Sequence, residues 1–143
     1  MPGTLIRGAL VLPGGGDWRA RRGDLFIRDG KFVADLPGEA ERTIDGRNLL
    51  AVPGFIEPGR SADLVLYDLT RPRWIPCNDA AQQLVFAETG DSVHTVLVAG
   101  RIVVDRGKVT GIDMQALLAE ARGMVGAIRK RNRALHDAVS GLL

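Results

Sequence analysis

Two proline–glycine pairs, Pro53-Gly54 and Pro58-Gly59, stand only three residues apart near the middle of the chain. Proline locks φ and lacks the N–H of a sheet ladder, and glycine opens the left-handed region. The stretch 52–68 therefore cannot be a helix or one unbroken strand. It divides a set of short strands before it from a second strand set, followed by helix, after it.

Before this seam, residues 4–12 are apolar and β-branched and predict a strand, stopped by Pro13 and the glycines that follow. No GxGxxG and no Lys-Ser/Thr pattern follows that glycine run, so it predicts a turn and not a phosphate cradle. Along 23–30, Leu25 and Ile27 share one face and Phe26 points to the other. Asp29-Gly30 predicts a hairpin into 31–34, because both residues tolerate positive φ. Residues 43–46 and 48–52 predict a further short pair.

After the seam, residues 62–68 predict a buried strand, and the prolines in 71–76 an extended loop. Asn78 or Asp79 caps a helix over 80–88, with Leu84, Val85 and Ala87 turned inward. Strands over 92–98 and 101–105 join at Ala99-Gly100, and Arg106-Gly107 turns into a brief strand over 108–110. Asp113 caps a helix from Met114 to about Ala138, with Leu117, Leu118, Ala121, Val125, Ile128, Leu135 and Val139 recurring at helical spacing. Gly123 and Gly126 each weaken that helix by up to about 1 kcal/mol.

The fold class predicted is mainly β with helices (α+β). It is a small β-sandwich of short antiparallel strands, plus a short helix and a long C-terminal helix. Residues 1–112 form the composite sandwich, from segments 1–55 and 56–112. Residues 113–143 form a helical segment that packs on the sandwich or on a partner chain.

Composition narrows the function classes. The 143 residues carry 19 basic and 17 acidic side chains, a formal net charge of +2. That balance implies neither nucleic acid nor an anionic membrane as partner. A single cysteine, Cys77, allows no intrachain disulfide and suits a reducing, cytoplasmic setting. No charged leader with a long apolar run begins the sequence, and no stretch reads as a spanning helix.

The order of motifs carries a resemblance. Gly23-Asp-Leu-Phe-Ile-Arg-Asp-Gly-Lys31 is followed by Ile44-Asp-Gly-Arg-Asn-Leu49, then Val52-Pro-Gly-Phe-Ile56. This resembles the start of the metal-dependent amidohydrolases, notably their deaminase and chlorohydrolase branch. The run from Ile56 to Asp68, then Asn78-Asp79, Gln83 to Ala87 and Val96 to Val104, looks like that family's return from its catalytic barrel. The resemblance implies a composite β-sandwich whose (β/α)8 barrel, of roughly 250 residues, is missing between about Phe55 and Glu57. In the family the first barrel strand supplies Asp-x-His-x-His, and zinc or iron is bound there. Here Glu57 falls at the acidic position, and Gly59 and Ser61 at the two histidine positions, so that ligand pair is absent.

Other chemistry finds little footing. His94 lies in a strand pattern and His136 on the terminal helix, with no HxH, HxxxH or HExxH spacing. Ser61, Ser92 and Ser140 have no nucleophile-elbow context. Asp63 with Asp68, or Asp24 with Asp29, are conceivable carboxylate pairs, yet they read better as turn and strand-end residues. Arg129-Lys-Arg-Asn-Arg133 is the densest basic run and suits a solvated helix end near the negative pole of the helix dipole. We therefore expect no catalytic residues, no cofactor and no metal.

Three functions follow. The first is a non-catalytic, barrel-less remnant or fragment of an amidohydrolase, its present role structural or unknown. It would self-associate through surfaces the missing barrel leaves exposed, including the helical stripe and the Trp74-Ile75 loop. The second is a hydrolase acting on carbon–nitrogen bonds whose barrel is supplied elsewhere or omitted. The third is a small-ligand or nucleic-acid binding module.

Overall fold

The structure is a computed structural model that describes residues 3–14, 16, 18–54, 56–133 and 137. It divides into two compact units, Met1–Thr110 and Gly111–Leu143.

The first unit is built on one mixed sheet of nine strands: β1 (Thr4–Val11), β2 (Arg21–Arg28), β3 (Lys31–Val33), β4 (Arg42–Asp45), β5 (Leu49–Pro53), β6 (Leu64–Asp68), β7 (Val93–Val98), β8 (Arg101–Asp105) and β9 (Lys108–Val109). The order is β3-β2-β1-β5-β6-β7-β8-β9, with β4 also paired to β1. This is the α+β class expected. The hairpin turns fall at the predicted dipeptides: Asp29-Gly30, Ala99-Gly100 and Arg106-Gly107 all hold positive φ.

One pairing differs from the sequence reading. Segments 43–46 and 48–52 do not pair with each other. β4 and β5 both run parallel to β1, β4 along Thr4 to Arg7 and β5 along Leu10 and Val11. The Gly46 N–H donates to the Arg7 carbonyl at 2.8 Å, and a Cβ there would lie 2.8 Å from the Ala9 Cβ. The chain thus passes from one half of β1 to the other and has no room for a hairpin.

The sheet folds over on itself. The β2–β3 turn meets the β7–β8 turn, where a Cβ on Gly100 would come within 2.8 Å of the Gly30 Cα. Only glycine permits that approach. The inner face then closes into a core of Ile6, Ala9, Leu25, Ile27, Phe32, Leu49, Ala51, Leu64, Leu66 and Leu97. By the period of two along a strand, Leu50, Val52 and Tyr67 point the other way. They meet Leu12, Trp74 and Ala80 in a second cluster on the outer face.

That outer face is covered by a 3-10 turn at Pro72–Trp74 and by α1 (Ala80–Phe86). The Asp79 carboxylate caps α1 by accepting from the Ala81 and Gln82 N–H groups, a contact usually worth about 1 kcal/mol. Trp74 is core, at 2% exposure, and only Ile75 of the loop expected to be exposed is so. Val85, expected to face inward, is 71% exposed. Leu84 does face inward as expected, beside Ala80 and Ala81.

The seam is a hydrogen-bonded connection. β5 and β6 pair antiparallel with Pro53 opposite Leu64, and the Gly54 N–H donates to the Asp63 carbonyl at 3.1 Å. Between them the chain runs along β3: the Phe32 N–H donates to Arg60 O at 2.9 Å, and the Gly59 N–H to Phe32 O at 2.8 Å. It covers a sheet edge that would otherwise offer unpaired backbone groups. Phe55, at the expected junction, lies outside the described residues.

The second unit contains α2 (Met114–Arg131), whose first turn is capped by the Asp113 carboxylate accepting from the Ala116 N–H. No described helix is long and apolar enough to cross a membrane.

Candidate functional site

Polar groups of the first unit gather around His94. Asp45, Arg47, Asn48, Leu49, Asp68 and Thr70 line a hollow of about 560 Å³ beside it. A neighbouring hollow of about 670 Å³ shares Asp45 and His94, and includes Arg42, Thr95, Ile102, Asp105 and Arg106. β4, the end of β6, and the β7–β8 pair bring these residues together, and the parallel β1–β4 pairing makes that juxtaposition possible.

The carboxylates here are engaged by close neighbours in sequence. Asp45 takes a forked contact from Arg47, with Nη2 to Oδ2 at 2.6 Å and Nε to Oδ1 at 3.0 Å. The Arg47 hydrogen bonds pull the Asp45 carboxyl down to about 2. Asp68 accepts from the Thr70 hydroxyl at 2.6 Å and the Thr70 N–H at 2.9 Å, and faces Arg71 at 3.2 Å. Burial pushes the Asp68 carboxyl up, but Thr70, Arg71 and His94 together outweigh it, and the net direction is down. A general base or acid working near neutrality needs the opposite shift. The His94 Nδ1 lies 2.8 Å from the Thr95 hydroxyl, in a half-buried position.

The other sequence candidates are dispersed. The Asp63 carboxylate accepts from the Ala99 N–H at 2.7 Å, and Asp24 from the Gly8 N–H at 2.7 Å. Each staples one strand segment to another, and residues 64–67 of β6 or 25–28 of β2 separate each from its imagined partner. Ser61 is exposed and bridges Lys31. Cys77 is exposed, and burial followed by Asp79 raises its thiol pKa, which leaves it less thiolate. His136 and Ser140 lie outside the described residues.

Ser92 belongs to a network that sequence patterns do not announce. It is 1% exposed, its hydroxyl donates to Glu88 Oε2, and it accepts from Trp74 Nε1 at 2.9 Å. Glu88 Oε1 also accepts from the Thr89 and Gly90 N–H groups. Burial pushes the Glu88 carboxyl up, while Ser92 and the backbone N–H groups of Gly90 and Ser92 pull it further down. The one available sign was a Trp, a Glu and a Ser clustered around a loop, which has no fixed spacing.

A separate apolar hollow of about 350 Å³ lies on the outer face, lined by Leu12, Trp18, Ala81, Leu84, Val85 and Phe86. Phe86 is 86% exposed and Trp18 63%.

No protein-family model matches the chain. Curated relatives do. A 5-methylthioadenosine/S-adenosylhomocysteine deaminase from Moorella thermoacetica is 37% identical over 81 residues, 54% of this chain and 19% of that protein. A 5'-deoxyadenosine deaminase from Methanosarcina acetivorans is 31% identical over 81 residues, 56% of this chain and 19% of that protein. Among solved structures, an adenosine deaminase from Xanthomonas campestris with bound zinc shares 34% identity, with a TM-score of 0.49, over 54% of this chain and 18% of that one. The chain thus spans about a fifth of the length of the relatives it matches.

The fold is that of a small β-rich α+β domain. About half of the chain is similar in sequence to those deaminases. Among the described residues, no three His, Cys, Asp or Glu side chains stand together to hold a metal ion.

Proposed function

We propose that this chain is a non-catalytic β-domain of amidohydrolase descent with a structural role, its ancestral chemistry being metal-dependent hydrolysis of a non-peptide carbon–nitrogen bond. The seam carries this reading. Where the resemblance puts the first metal-binding strand, residues 57–62 form a turn hydrogen-bonded to β3, and glycine and serine stand at the histidine positions. The depressed carboxyls of Asp45 and Asp68 support it, because neither is poised for proton transfer. A cytoplasmic location and the absence of a resident metal go with it. The test is metal analysis of the purified chain together with a deamination assay on adenosine-type nucleosides. Substoichiometric metal and no ammonia release are expected; one zinc or iron per chain, or turnover, overturns the reading.

A second reading is favoured by the exposed Trp18, Val85 and Phe86 on the outer face. In it, that face receives a catalytic barrel carried by another chain. Mixing the protein with a separately produced barrel from a related deaminase separates the two. A gain of deaminase activity that Phe86→Ser abolishes supports the second reading, and no gain supports the first.

A further inference from the structure

The second unit poses a problem of its own. Its described residues contain one helix, and a single helix of this length is marginal in water without a packed apolar face. α2 has such a face: Met114, Leu117, Leu118, Ala121, Val125 and Ile128 recur at three- and four-residue steps. By the same period Gly123 falls on the opposite side. Charge is divided along the axis. Asp113 and Glu120 are the charged residues of the first half, whereas residues 122–133 carry five basic side chains and no acidic one.

We propose that α2 pairs with α2 of a second copy of this chain, antiparallel, through this stripe. Charge complementarity selects the occupant and its direction. A parallel pair would set Arg129, Lys130, Arg131 and Arg133 beside the same four residues of the partner copy. An antiparallel pair sets each basic end beside the other helix's acidic beginning, and opposes the two helix dipoles favourably. With 18 residues in α2, antiparallel pairing moves the basic ends about 27 Å apart at 1.5 Å per residue. The stripe is centred on Ala121, so the twofold axis passes there. The proposal is independent of whether the first unit is catalytic.

Sedimentation equilibrium on the full chain tests it. A concentration-dependent species of twice the monomer mass is expected, and a monomer at every concentration overturns the proposal, meaning that α2 packs within its own chain. Leu117→Glu with Val125→Glu should weaken the dimer at least tenfold; an unchanged dimer overturns it. Arg129→Glu with Lys130→Glu should loosen an antiparallel pair, and tightening would show a parallel one. Direction is also read by cross-linking in a Cys77→Ser background. Ala121→Cys should form an interchain disulfide readily and Ile128→Cys should not; equal rates overturn the antiparallel arrangement.

Discussion

On the inner face of the sheet, Ile6, Leu66 and Leu97 meet side chains brought from both ends of the same sheet, and each is at most 1% exposed. On the outer face, Trp74 anchors a smaller cluster, and beyond it Trp18, Val85 and Phe86 stay in contact with water. The inner face is complete because the sheet supplies both walls. The outer face depends on what the connecting segments bring, and residues 69–92 bring one 3-10 turn and one short helix. An apolar surface with this shape is where a partner would gain most from burial, at about 25 cal/mol per Å².

The contrast can be broken in several ways. Trp74→Ala should cost most, about 4 kcal/mol by urea denaturation, since it opens a cavity and strips the Glu88–Ser92 pair of its donor. A loss near zero would mean that the outer cluster is not true core. Leu66→Ala on the inner face should cost about 3 kcal/mol. Gly100→Ala should cost about 2 kcal/mol, because φ is +72° there and the new Cβ meets the Gly30 backbone. Little or no loss would show that the two turns can separate freely.

The Glu88 network adds a pH dependence. Its folded-state pKa lies below the ordinary 4.5, so its contribution is present above that value and is lost as pH falls through the lower, folded one. Glu88→Gln should flatten the acid limb of stability and cost about 1 kcal/mol at neutral pH. An identical acid limb in the variant would remove Glu88 from the account. The smallest effect belongs to the exposed end of the outer face. Phe86→Ser should change stability by no more than about 0.5 kcal/mol while lowering binding of a hydrophobic dye. A large destabilisation would show that Phe86 is packed and that the two faces are alike.

Much of the local structure was legible in the residues. Asp29-Gly30, Ala99-Gly100 and Arg106-Gly107 become hairpin turns: Gly takes positive φ freely and Asp tolerates it, whereas Ala99 and Arg106 are held at a φ of 47° by the strands they join. Asp79 and Asp113 cap helices because the contact spans only two or three residues. The alternation of Leu25 and Ile27 against Phe26 is kept in β2, where Leu25 and Ile27 are buried, and the motif order around the seam resembles that of the amidohydrolases. The site was far less legible. His94 was visible as a lone histidine, but its neighbours Asp45 and Asp68 come from other strands, and no spacing links them.

What the sequence by itself determined was where this chain turns, caps and alternates, and that glycine and serine, not histidine, stand at positions 59 and 61. Those are properties of single residues and near neighbours. Tertiary structure alone decided that β4 and β5 share β1 as a parallel partner, that Trp74 is core while Phe86 is surface, and that Gly30 touches Gly100. Each of those depends on contacts between distant segments. The seam joins the two kinds of knowledge: its prolines and glycines said the chain must turn there, and only the folded sheet made β3 the strand against which it turns.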